Sequence, residues 1–150
     1  MISTKGRYAL RVMLDLAQQE TDRFTPLDEI AARQGISKKY LEIILKTLVR
    51  EKLLKGLRGK GGGYRLTRSP HEYTVGEILE LTEGTLATIA CLQTGVEPCE
   101  RADSCITLPM WKQFDRIVHD FFYRITLYDL LQGNIPYMIV DEDQTARPTE

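Results

Sequence analysis

Residues 27–67 read LDEIAARQGISKKYLEIILKTLVREKLLKGLRGKGGGYRLT, and the fold turns on this stretch. Leu27, Ala31, Gly35, Leu41 and Ile44 stand at offsets 0, 4, 8, 14 and 17. Those offsets suit two helices joined by a tight turn, with a small residue where the helices cross and apolar residues where the second packs back. Thr25-Pro26-Leu27-Asp28 reads as an N-cap, a proline at the first helical position and an acid three residues after the cap. Gly35 closes that helix, because glycine takes the left-handed conformation without a Cβ penalty. Ser37 caps the next helix, which runs to about Glu51 with Leu41, Ile44, Leu45 and Leu48 inward. Leu53–Leu57 and Tyr64–Thr67 then read as two short strands, joined by the basic, glycine-filled loop Arg58–Gly63. A helix-turn-helix followed by a hairpin is the order of a winged helix.

Such a unit points to DNA. In a helix-turn-helix the second helix enters the major groove with its N-terminal residues at base edges. Here that end reads Ser37-Lys38-Lys39-Tyr40, followed by Glu42 and, one turn on, Lys46. Lysines there can meet phosphates or guanine edges, and Glu42 can accept from a cytosine amino group. Arg58 and Lys60 place two cations on a glycine backbone able to approach a groove closely. The rival reading as a phosphate-binding loop is weaker, since the glycines do not lie between a strand and a helix N-terminus and no GK[ST] follows.

Charge agrees with this reading. Residues 1–68 hold 15 Lys+Arg against 7 Asp+Glu, a net +8, while residues 69–150 hold 5 against 14, a net −9. The chain's overall charge of −1 hides that split. One half is built to face a polyanion and the other faces something else.

Outward from the centre, Tyr8, Ala9, Val12, Met13, Leu16 and Ala17 predict a first helix over about 4–19. Thr74-Val75-Gly76-Glu77 is a capping-box pattern opening a fourth helix that ends near Gly84. A long helix is expected over roughly 106–125, with Thr126 capping a brief continuation toward Gly133. In it Trp111, Phe114, Val118, Phe121 and Ile125 step by 3, 4, 3 and 4, a coiled-coil-like seam. The competing readings of that seam are packing on the chain's own N-terminal half and a homodimer; so many aromatics on one helix favour the dimer. The fold class is thus mainly α with a small β-hairpin, divided as a winged helix-turn-helix unit at 1–84, a cysteine loop at 85–105, a dimerisation helix at 106–132 and a polar tail at 133–150.

Cys91, Cys99 and Cys105 all fall in the loop, which has no clear period. Three thiols in one irregular segment signal a soft metal or a redox centre, although free cysteines are also common as small buried hydrophobes. Their spacings match neither a ferredoxin nor a C-x-x-C zinc knuckle. With 150 residues, 43% apolar and 27% charged, the chain has the balance of a single globular domain. The charged start is no signal peptide, no apolar run spans a bilayer, and an odd cysteine number argues against a disulfide framework. A cytoplasmic protein is expected. No Ser/His/Asp order, H-E-x-x-H or phosphate loop marks an enzyme, and an acidic loop disfavours a reactive thiolate.

The assembly resembles the Rrf-type family of bacterial winged-helix regulators (IscR/NsrR/CymR-like) over about residues 1–132. The resemblance rests on STKGRYAL at 3–10, DEIAARQGISKKYLE at 28–42, LRGKGGGYRL at 57–66, TVGEIL at 74–79 and the three-cysteine segment running into a long helix. It implies a homodimeric, cytoplasmic transcriptional regulator, a repressor foremost, that binds palindromic double-stranded DNA. It also implies a [2Fe–2S] or [4Fe–4S] cluster on Cys91, Cys99 and Cys105, one that aerobic handling can strip, sensing redox state, nitric oxide or iron–sulfur status. Glu42 and its basic neighbours match the reading helix, and Arg58 matches a wing residue that reaches the minor groove. The sequence departs from the pattern in two places. The first cysteine gap is longer, and Leu108 stands where the cluster-binding pattern has a histidine ligand. Tyr8 occupies the first-helix position at which nitric-oxide-sensing members carry a carboxylate. The fourth ligand stays open among Glu97, Glu100, Asp103, His119 and an external group. A cluster-free branch of the family, controlled by a protein partner or a metabolite, is the alternative.

Overall fold

The computed structural model describes residues 2–19, 22–97 and 99–135; the expected tail beyond Ile135 lies outside them. Six helices and one hairpin appear in chain order: α1 Thr4–Ala17, α2 Leu27–Gln34, α3 Lys38–Arg50, β1 Leu54–Leu57, β2 Gly63–Leu66, α4 Val75–Glu83, α5 Leu108–Arg124 and α6 Leu127–Gln132. This is the mainly α architecture with a two-stranded hairpin that the sequence predicts.

Local chemistry places most of the boundaries. Ser37 adopts an extended backbone and accepts from the Tyr40 N–H, so α3 starts where the cap dictates. Gly35 ends α2 at φ +63°, and Gly84 and Gly133 end α4 and α6 in the same left-handed region. Thr126 and Asp129 form a complete capping box at α6. Two expectations need correction. The cap of α2 is Pro26, with no side-chain hydrogen bond; Thr25 is instead held in a bridge with Tyr64, its N–H donating to the Tyr64 carbonyl and its carbonyl accepting from the Tyr64 N–H, both at 2.9 Å. At α4, Thr74 accepts from the Glu77 N–H, but Glu77 sends its carboxylate to Arg68 at 2.7 Å rather than back to the cap.

The hairpin is antiparallel, with Leu54 opposite Leu66 and Leu57 opposite Gly63. The Thr25 bridge ties it to the start of α2. Gly63 makes that approach possible: at φ +148°, a Cβ there would lie 2.2 Å from the Thr25 carbonyl oxygen.

The main core gathers Ala9, Val12, Met13 and Leu16 of α1, Ile30 of α2, and Leu41, Ile44, Leu45 and Leu48 of α3, closed by Leu53, Leu54 and Tyr73. Removing one of its fully buried leucines, such as Leu45, costs about 2–5 kcal/mol in cores of this kind. A smaller cluster of Val75, Leu79 and Ile125 joins α4 to the end of α5. Buried Asp15 links α1 to α2, accepting from Arg33 at 2.7 and 2.9 Å and from Gln34 at 2.9 Å.

Ile125 is therefore not a seam residue. It is 3% exposed, and its carbonyl accepts from the Val75 N–H at 2.8 Å. The spacing that placed it on the seam ignored α4, which covers that side. Phe121 and Phe122 also pack against the smaller cluster, while Trp111 and Val118 are half-buried. Phe114 alone of the expected seam is open, and it joins Ile106, Met110 and Ile117 in an exposed apolar stripe.

Candidate nucleic-acid interface and cysteine hollow

The outer face of α3 carries Lys39, Glu42, Ile43, Lys46 and Arg50, all exposed and spaced so that they form one stripe opposite the core leucines. Lys38 pairs with Asp28 at 2.9 Å, with both side chains largely in water. Such a surface pair is worth little and yields readily to a phosphate. Ser37 is spent on its cap. Tyr40 turns back toward α1, its ring edge-on to Tyr8 at 5.8 Å.

Between α3 and the hairpin runs a groove of about 530 Å³. Glu42, Lys46 and Arg58 line it together with Tyr64. Three of the residues singled out by sequence thus converge on one concavity, although they are up to 16 positions apart. Lys60 is exposed near the hairpin tip, outside the groove lining. Gly62 keeps the turn tight, since a Cβ there would meet the Leu57 carbonyl oxygen at 2.3 Å.

The hairpin's base is held by a residue the sequence reading passed over. Tyr73 is fully buried; its hydroxyl accepts from the N–H groups of Thr67 and Arg68, both at 2.9 Å, and donates to the Leu53 carbonyl at 2.8 Å. Its own carbonyl accepts from the Leu127 N–H at 3.0 Å. Ile43 was passed over too, though its absence from the inward set Leu41, Ile44, Leu45 and Leu48 was a visible signal.

The second feature lies at the other end of the chain. Cys91, Cys99 and Cys105 line one hollow of about 190 Å³, walled by Leu92, Ala102, Leu108 and Lys112. Two short turns of 3-10 helix, Ala90–Leu92 and Ala102–Ser104, shape the loop. Cys91 and Cys99 are exposed and Cys105 partly so. The Thr107 hydroxyl, 3.5 Å from the Cys105 sulfur, pulls that thiol's pKa below its ordinary value. In donor chemistry the set fits an iron–sulfur centre: three soft sulfurs on one small, largely apolar hollow. Among the described residues, no three of His, Cys, Asp and Glu are close enough together to hold a metal ion as they stand. Leu108, in place of the histidine of the pattern, sits on the hollow's wall and offers no ligand atom.

The family model for Rrf2, an iron-dependent transcriptional regulator, matches residues 2–133. The chain belongs to the Rrf2 family. Among relatives of this Rrf2 protein, the HTH-type transcriptional regulator IscR of Sodalis glossinidius is 34% identical over 149 residues, 98% of this chain and 89% of that one. Among solved structures, CymR (YrzC), the global cysteine regulator of B. subtilis, superposes with a TM-score of 0.72 at 32% identity, covering 89% of this chain and 97% of that one. T. potens IscR superposes at 0.69 with 31% identity, covering 98% and 93%. The Rrf2 chain is a transcriptional regulator of the IscR type with a winged-helix, DNA-binding fold, and its relatives are regulators rather than enzymes. No helix among its described residues is long and apolar enough to cross a membrane.

Proposed function

We propose that this Rrf2 protein is a homodimeric repressor that binds palindromic double-stranded operator DNA in the bacterial cytoplasm, with an affinity set by an iron–sulfur cluster on Cys91, Cys99 and Cys105. Residues 1–84 form the DNA-binding unit, 85–105 the cluster loop and 106–132 the dimerisation segment. The observation that carries this reading is the shared hollow, which all three cysteines line together with Leu108 at the start of α5. When bound, a [2Fe–2S] or [4Fe–4S] cluster supplies a centre that responds to oxidants, nitric oxide and iron supply. The chain's own part is to offer three thiolates, to shelter them with Leu92 and Leu108, and to place Lys112 where its charge offsets theirs. As no three candidate ligands among the described residues stand close enough to hold a metal ion, ligation would draw the cysteines of the loop together.

Anaerobic purification tests this directly. A coloured protein carrying iron and acid-labile sulfide, bleached by Cys→Ser substitution at position 91, 99 or 105, is the expected result. A colourless protein that takes up neither on reconstitution overturns it.

On the DNA side, Lys38→Glu with Lys39→Glu should weaken operator binding steeply and flatten its salt dependence. Each lost phosphate contact lowers the slope of log K against log salt by about 0.9. A salt titration showing an unchanged slope would remove α3 from the interface.

A second reading, a cluster-free regulator controlled by a partner or metabolite, is favoured by the lack of a ready-made metal set among the described residues and by the similarity to CymR. Serine at all three cysteine positions separates the two, because only a cluster sensor loses its response.

A further inference from the structure

We infer that Ile43 reads the methyl group of a thymine in each operator half-site. The inference rests on α3 being the reading helix, and it assigns that helix a specificity element. Ile43 is 50% exposed and belongs to neither apolar cluster of the described residues. A single exposed isoleucine is unremarked on most surfaces; its neighbours make this one informative. Lys39 lies four positions before it and Lys46 three after, so on a helix both flank it on the same face. Glu42 precedes it and lines the groove that Lys46 and Arg58 share.

A polyanion drawn onto those cations presses base edges against the centre of the stripe. A branched alkyl group cannot pair with the donors and acceptors of a major-groove edge, and it leaves them desolvated at a cost. Only the C5 methyl of thymine offers it an apolar partner. Glu42 complements this, repelling phosphate and accepting from a cytosine amino group. Neighbouring Cα atoms are about 3.8 Å apart, close to the base-pair step of about 3.4 Å. The two side chains therefore address the same or adjacent base pairs, and the half-site should hold a cytosine beside a thymine.

The test begins with duplexes enriched by the wild-type protein from a randomised pool. Each thymine of the enriched site is then replaced, one at a time, by deoxyuridine, which deletes the methyl and nothing else. Wild-type affinity should fall about three- to fivefold at one position per half-site, the effect of unburying one methyl group. In Ile43→Ala the thymine and uracil duplexes should bind equally, with circular dichroism verifying that the helix persists. A methyl effect that survives in Ile43→Ala, or no position with such an effect, overturns the inference. Failure to enrich any sequence removes the DNA-reading assignment of α3 itself, and the inference with it.

Discussion

Tyr73 lies outside both α3 and the hairpin, yet its hydroxyl serves three backbone groups at the hairpin's base. Tyr73→Phe keeps the ring in the core and strands the Thr67 and Arg68 N–H groups. These bonds are only partly buried, so the loss should sit at the low end of the range for stranded donors, about 1 kcal/mol, and urea unfolding should show it with an unchanged m-value. DNA affinity should fall as well, because the hairpin that carries Arg58 loses its brace. Tyr123 makes a pH prediction. Burial, then its hydrogen bond to Glu80 and the charges of Glu80 and Glu77, push its pKa from 10.0 up to about 12. A pKa raised in the folded state gives stability that is complete below the unfolded value and is lost as pH climbs through the folded one. Stability should thus drop between about pH 10 and 12, and Tyr123→Phe should flatten that limb in denaturation curves taken across the range.

At the scale of elements, the hairpin is anchored to α2 by the Thr25–Tyr64 bridge and held together by its own ladder. Gly63→Ala forces a Cβ into the Thr25 carbonyl and should release the hairpin from α2. Limited proteolysis within Arg58–Gly63 should accelerate, and DNA binding should weaken while helical circular dichroism stays near wild type. The same elements show which parts of the structure were legible in sequence. Caps such as Ser37 and Thr126, the closing glycines and the α3 core face are settled by residues within a few positions of one another, so reading the chain locally recovers them. The Thr25 bridge spans 39 positions and the Glu77–Arg68 pair displaces a local cap, and neither has a local signature. The seam of α5 failed at Ile125 for a related reason: a 3–4 repeat marks an apolar face but not the element that covers it. In the candidate sites, residue types were legible. The convergence of Glu42, Lys46 and Arg58 on one groove, and of three cysteines on one hollow, required the fold.

For the whole molecule, the proposed homodimer would seat its second copy on the exposed apolar residues Ile106, Met110, Phe114 and Ile117. Ile117→Glu places a charge on it without touching either core cluster, and should yield monomers in sedimentation analysis at concentrations where wild type dimerises. Affinity for a full palindrome should fall toward that for a half-site. The way α5 is fastened has its own consequence. Just past its C-terminal end Ile125 is bound to Val75, and Leu127 at the start of α6 to Tyr73, while its first turn borders the cysteine hollow. Seventeen residues make a rod about 25 Å long. Its flank is tied as well, Asp115 accepting from the Thr88 N–H at 2.7 Å and from the Thr88 hydroxyl at 3.0 Å, and Tyr73 beside its C-terminal fastening is the residue whose hydroxyl grips the base of the hairpin. Under the proposed cluster reading, a rigid strut rather than a slack loop joins the cysteine hollow to the brace of the wing.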